Sequence, residues 1–185
     1  MGMYLGDDDK TARFEALAMP HLDAAYNLAR WLTRDPHDAD DLVQNAYLRA
    51  FRFADSFRGG DARAWLLTIV RNTYYTALRD GRHEQADVSF EEELHGDSDA
   101  ADAETRASMD PAQILASRDL GKSVNQALGQ LPQAFREVLV MKEMDDLSYK
   151  QIAQAVDVPI GTVMSRLARA RKLLLAYLTQ DRAGE

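Results

Sequence analysis

Residues 147–175, LSYKQIAQAVDVPIGTVMSRLARARKLLL, decide the fold. They read as helix, tight turn, helix. Ser148 is placed to cap the first helix with its hydroxyl, and Ile152, Ala153 and Val156 give that helix an apolar face. Asp157-Val158-Pro159 ends it, because proline disfavours helical backbone at the residue before it. A second helix begins near Ile160 or Gly161 and runs past Leu175. At about 100° per residue, Val163, Leu167, Ala170 and Leu174 share one face. Thr162, Ser165, Arg169 and Lys172 share the opposite one, with Arg166 and Arg171 on the shoulders. No acid occurs between Val158 and Gln180. A cationic stripe on the second helix of a short helix-turn-helix suits the major groove of DNA. A solvated helix of an all-α bundle also carries charge. The turn spacing, the small Ala153 at the helix crossing and the missing acids together favour DNA.

The net charge of −8 looks wrong for a DNA binder until its distribution is read. Residues 11–80 carry nine bases and nine acids, and residues 113–185 carry ten and eight. Residues 81–112 carry two bases and ten acids. Two near-neutral blocks are therefore expected, 11–80 and 112–180, joined by a flexible, self-repelling acidic linker at 81–111. Both blocks have helical periodicity, so the fold class is all-α: two small helical domains, the second a helix-turn-helix. There is no cysteine, which excludes disulfides and cysteine-based metal or redox chemistry. No apolar run reaches membrane-spanning length and the N-terminus lacks a signal-peptide pattern, so a cytoplasmic protein without membrane insertion is expected. Residues 7–10, DDDK, are set aside in reading the fold.

In the first block, residues 11–32 read as a helix with Phe14, Leu17, Leu22, Ala25, Leu28 and Leu32 at helical spacing, and Pro20 marking a start or a kink. His21 has no second ligand one turn away, so a boundary histidine is favoured over a metal ligand. A second helix over 37–54 buries Leu42, Val43, Ala46, Tyr47, Ala50 and Phe51. Its early acids suit the helix dipole, and Asp40, Asp41, Gln44 and Asn45 also form a polar face able to dock a partner. A loop holds Phe57, Arg58 and Gly59-Gly60, and Asp61 caps a third helix over 62–79. There Trp65, Leu66, Ile69, Val70, Thr73 and Ala77 make a core face. Arg63, Arg71, Asn72, Tyr75 and Arg79 interleave cation, amide and aromatic groups, a mixture suited to unpaired bases. Trp65 and Tyr74 are also explained by packing alone. In the second block, a helix from Pro111 to about residue 129 turns Ile114, Leu115, Val124, Ala127 and Leu128 inward, and one after Leu131-Pro132 carries Phe135, Val138, Leu139 and Met141.

With these residues in order, the chain resembles bacterial sigma factors of the extracytoplasmic-function group over about residues 12–80 and 112–178. The resemblance rests on 38–44 (DADDLVQ) with Ala50-Phe51, on Ala64-Trp65-Leu66 with Arg71-Asn72, on Leu131-Pro132 with Arg136-Glu137-Val138, and on the helix-turn-helix. It implies a protein that binds core RNA polymerase and directs it to promoter DNA, with no cofactor, no metal and no catalysis of its own. An anti-sigma factor is implied as a further partner. Asp40, Asp41 and Gln44, with Asn45 beside them, fall where such proteins meet the polymerase clamp. Phe57, Arg58, Asp61 and Ala62 fall in the loop that captures an extruded base of the −10 element, beside Arg71, Asn72 and Arg79. Thr162, Ser165, Arg166, Arg169, Arg171 and Lys172 fall on the −35 helix. Many relatives carry a base where this chain has Met164, so the −35 preference does not carry over whole.

Three other readings compete. An autonomous helix-turn-helix regulator would bind its operator tightly as a dimer, whereas one short basic helix neutralises few phosphates. A histidine–aspartate metal hydrolase would need more ligands than His21, His37, Asp38 and Asp41 supply. A sigma mimic that titrates an anti-sigma factor would not need the basic recognition helix.

Overall fold

The computed structural model describes residues 5–84 and 111–183, with side chains described for 9–81 and 120–179. Most of the acidic linker, residues 85–110, lies outside them, as do the side chains of Ile114 and Leu115. The described elements are helical throughout: α1 (Leu5–Ala18), α2 (Leu22–Thr33), α3 (Pro36–Phe53), α4 (Ala62–Glu84), α5 (Pro111–Gln130), α6 (Gln133–Glu143), α7 (Tyr149–Val156) and α8 (Ile160–Ala183).

In the first block α2, α3 and α4 pack on one another through an alanine-rich seam. Ala25, Leu28 and Ala29 of α2 meet Leu42, Ala46 and Ala50 of α3 and Leu66, Leu67 and Val70 of α4, all buried. Small side chains let the helices approach, and the leucines fill the space between them. Phe14 closes one end, its ring edge-on to Tyr47 and to Phe51 at centroid distances of 6.2 and 5.3 Å. Tyr47 also donates to the carbonyl of Ala18 (2.9 Å), which ties α1 to α3.

The helix ends follow local chemistry. Arg34 ends α2 in the left-handed region, φ 63°. Asp35 stands before Pro36, is extended as that position requires, and accepts from the amides of His37 (2.7 Å) and Asp38 (3.0 Å). Ser148 and Gln151 form a reciprocal capping box on α7: Gln151 N donates to Ser148 Oγ (3.2 Å) and Ser148 N to Gln151 Oε1 (2.7 Å). The turn to α8 is made by Asp157, φ 53°, a residue type whose short side chain tolerates that backbone. Behind it Val163, Leu167 and Ala170 are buried, as the periodicity requires.

Some boundaries differ from expectation. The helix expected over 11–32 is two helices, separated by a single 3-10 turn at Met19–His21 where Pro20 interrupts the bonding. The first starts at Leu5 and takes in the DDDK stretch. The third helix does not stop at 79 or 80 but continues to Glu84 through Gly81, since one glycine costs a helix only about 1 kcal/mol. Its core face turns out to include Leu67, while Ala77 is exposed and Trp65 half-buried.

The two blocks pack against each other, α4 along α7 and α2 along α6. Leu131, Val138, Met141 and Leu147 of the second block belong to the same cluster of buried residues as Leu28 and Leu66 of the first. Arg136 fastens this junction. Its guanidinium is buried and donates to the carbonyls of Leu128 (3.0 Å), Gly129 (2.8 Å) and Leu131 (2.9 Å) at the end of α5, and to Trp31 O of α2 (3.2 Å). The last carbonyls of a helix have no partner within it; one planar, five-donor group supplies several.

Candidate nucleic-acid interface

On α8 the stripe is arranged as the sequence suggests. Met164, Ser165, Arg169, Arg171 and Lys172 are exposed, and Thr162 and Arg166 are half-buried at its margins. Its side chains are not equally available. Ser165 Oγ donates to the carbonyl of Thr162 (3.0 Å), which leaves it lone pairs with which to accept. Arg171 is held by Glu143 of α6, through Nε at 3.1 Å and Nη2 at 2.7 Å. The Glu143 hydrogen bond outweighs partial burial and keeps the Arg171 guanidinium above its ordinary pKa. Arg169 and Lys172 are paired with no acid among the described residues. Met164, 52% exposed, and Ile160 one turn before it put apolar surface at the start of this cationic helix.

The α4 surface is different, because α6 and α7 lie on part of it. Asp61 accepts from its own helix, Ala64 N at 2.8 Å, and from Gln151 Nε2 of α7 at 2.6 Å. Burial pushes its carboxyl up, but these hydrogen bonds and nearby His21 outweigh that and leave it below the ordinary carboxylate value. Arg63 donates to the carbonyl of Asp145. Arg71 makes a two-pronged ion pair with Glu137 of α6, Nε–Oε2 at 2.9 Å and Nη2–Oε1 at 3.1 Å. Its guanidinium lies 4.6 Å from the ring centroid of Tyr75, whose hydroxyl donates to Glu137 Oε2 at 3.4 Å. Burial lowers the Arg71 pKa, and the bonds and charge of Glu137 more than reverse this. Asn72 and Arg79 remain exposed, as does Arg58, while Ala62 is half-buried. Phe57 lies on Trp65 at a centroid distance of 5.1 Å, and both are half-buried.

On α3, Asp40, Asp41, Gln44 and Asn45 are all exposed, and one turn further Leu48 continues the strip, 61% exposed. Leu48 was legible as the apolar residue off the buried register. Glu137, Asp145 and Arg136 were not legible, because only the packing of the two blocks makes these polar groups buried. Among the described residues no cluster of His, Cys, Asp and Glu is arranged to hold a metal ion, and no helix is long and apolar enough to cross a membrane. His21 sits beside Asp61 and Arg63; burial and then Arg63 lower its pKa, against the pull of Asp61.

Sigma-70 region 2 matches residues 17–84 and Sigma-70, region 4 matches residues 121–174. The chain is 34% identical over 176 residues to the ECF RNA polymerase sigma factor SigE of Mycolicibacterium smegmatis, covering 95% of this chain and 65% of that protein. It is 36% identical over 140 residues to the ECF RNA polymerase sigma-E factor of Escherichia coli, covering 74% of this chain and 72% of that protein. Among solved structures it is similar to the sigma factor RpoE in complex with the anti-sigma factor NepR from Bartonella quintana, with TM-score 0.70 and 28% identity over 90% of this chain and 96% of that one. It is also similar to CnrH in complex with the cytosolic domain of CnrY, with TM-score 0.60 and 25% identity over 91% and 88%. The first block carries the region 2 match and the second the region 4 match, and the chain belongs to the extracytoplasmic-function sigma factors of RNA polymerase.

Proposed function

We propose that this chain binds core RNA polymerase and directs it to promoters bearing a −10 and a −35 element, under the control of an anti-sigma factor. The observation that carries this is the order of two matches on one chain, region 2 before region 4, each bearing a surface that fits its task. The exposed, acid-free face of α8 enters the −35 major groove. Arg169 and Lys172 meet bases and phosphates there, with Arg166 at the margin; one bidentate arginine–guanine pair is worth about 1–3 kcal/mol in discrimination. The 57–62 loop and α4 take the −10 strand, Asp61 and Phe57 at the base pocket and Arg71, Asn72 and Arg79 along the strand. A flipped base loses stacking, and a fitted pocket offsets that. Asp40, Asp41, Gln44 and Asn45 dock the polymerase. Phosphodiester chemistry belongs to the polymerase, so the chain acts as an initiation factor, in the cytoplasm where polymerase and promoters are.

The test is run-off transcription with bacterial core polymerase and genomic promoter fragments. Starts that require the chain and share two spaced upstream elements are expected. No stimulation, with tight DNA binding by the chain alone, would replace this reading with an autonomous regulator.

A further inference from the structure

The outward face of α8 is not uniform. At about 100° per residue, its early turns carry Gly161, Ser165 and Ala168 along the crest, all exposed. No long side chain stands there, and the space beside Gly161 is open. The backbone can therefore come close to the floor of a groove. The two flanks of this crest differ. Arg166 and Arg169 occupy one. Ile160 and Met164, one turn apart, occupy the other and are 45% and 52% exposed.

The Met164 flank is poorly suited to phosphate. Its next long side chain is Arg171, whose Nη2 and Nε are already held by Glu143 at 2.7 and 3.1 Å. Packing does not explain Met164 either, because Val163, Leu167 and Ala170 fill the buried face of α8. Adjoining exposed apolar side chains mark a contact surface. Inside a major groove the apolar partner is limited in kind. Guanine, adenine and cytosine present hydrogen-bonding edges, and thymine adds a 5-methyl group. Residues early in such a helix are the ones that reach base edges, and Met164 stands in the second turn. Its unbranched thioether extends past the short residues of the crest and adapts to the position of a methyl group.

We propose that Met164 is a specificity-determining residue: it packs on the 5-methyl group of one thymine in the −35 element, with Ile160 beside it. Arg166 and Arg169 serve the cationic flank. This rests on the reading of α8 as the −35 helix and deepens it. The result is a preference for one methylated base at one position, set by a side chain that donates no hydrogen bond.

The test is run-off transcription by the full-length chain with bacterial core polymerase, on a promoter from which it starts. Each thymine of the −35 element, on either strand, is replaced in turn by deoxyuridine. That change removes the methyl group and keeps every hydrogen-bonding group. At one position transcription should fall about fourfold, the worth of one buried methyl group. Met164→Ala should transcribe the thymine and deoxyuridine templates alike at that position. Met164→Leu, still apolar, should keep part of the preference. Met164→Gln, of similar length but polar, should lose it. Thermal melts of the three variants should match the unaltered chain, since the position is exposed.

A −35 element in which no thymine methyl matters overturns the proposal, and so does a methyl effect that survives in Met164→Ala. If that variant instead loses transcription equally on every template and keeps the methyl effect, the apolar flank is a protein contact. In each of these cases, sensitivity to scrambling the −35 element keeps α8 in its groove. Indifference to scrambling overturns the reading of α8 itself, and the role of Met164 with it.

Discussion

Arg171 Nη2 lies 2.7 Å from Glu143 Oε1, so one of the cations on α8 is tied to α6. Arg169, two residues earlier, has no such tie and faces outward. The two arginines should therefore respond differently to removal. Arg171→Ala should lower stability by about 0.5 kcal/mol, the scale of an exposed ion pair, with a small effect on promoter choice. Arg169→Ala should leave stability unchanged and reduce −35-dependent transcription by about tenfold or more. Run-off assays on promoters with intact and scrambled −35 elements, beside thermal melts, separate them; equal losses of transcription would end this distinction.

Charge reversal on α3 tests the polymerase face. Asp40 and Asp41 are exposed and take part in no hydrogen bond that shapes the fold. Asp40→Lys with Asp41→Lys should leave the melting profile in place and weaken competition for core polymerase by about tenfold or more, because like charges then meet where unlike ones did. A doubly reversed chain that competes normally would place the docking face elsewhere.

The capping box gives a stability prediction. Ser148→Ala leaves the Gln151 amide without its acceptor and should cost about 1 kcal/mol. Gln151 also reaches Asp61, so Ser148→Ala and Gln151→Ala should combine non-additively. A double-mutant cycle by urea unfolding measures this; strict additivity would mean that the box and the Asp61 contact are independent.

Arg136→Met should be among the most damaging substitutions in the second block. It strips donors from the carbonyls of Leu128, Gly129 and Leu131, and a buried acceptor left unpaired costs about 1–3 kcal/mol. Arg136→Lys should not rescue it, since an ammonium cannot spread over the same carbonyls. A urea midpoint within error of the unaltered chain for either variant would show the fan to be dispensable.

Burial holds the Asp145 carboxyl above the ordinary carboxylate value, against the Asn27 amide and the Arg63 cation, with Asp23 adding to the rise. In the unfolded chain that burial is lost. The protonated acid is thus favoured by folding, and this contribution, present below the ordinary value of 3.8, is lost as pH rises through the raised one. Asp61 pulls the other way: its lowered pKa adds stability above the ordinary value that is lost as pH falls through the lowered one. Asp145→Asn keeps the Asp61 response and removes the first. As pH rises through the raised value, the stability of the unaltered chain should fall relative to the variant, read from urea unfolding. Parallel pH curves would show that Asp145 adds nothing to the pH dependence of folding.

What could be read beforehand follows a physical line. Helix-turn-helix, caps and buried stripes were legible because they depend on neighbours three or four residues apart: Val163 with Leu167, Ser148 with Gln151. The cationic stripe of α8 was legible for the same reason. The junction was not, because Arg71 and Glu137 stand 66 residues apart and nothing local marks a carboxylate on α6 as buried. Arg136 carried a family resemblance but no sign of its task, which exists only where the end of α5 meets α2. The paired state of Arg171 was hidden likewise, since Glu143 belongs to another helix.

The Arg136 fan also sets an order in time. Peptide groups whose carbonyls are gathered beneath one guanidinium at the end of α5 can meet water only when that whole corner comes apart, whereas the end of α8 frays alone. Hydrogen exchange should therefore be slowest around Leu131 and Val138 and fastest beyond Leu175. A corner that carries none of the candidate interface residues is then the clock by which the rest comes undone.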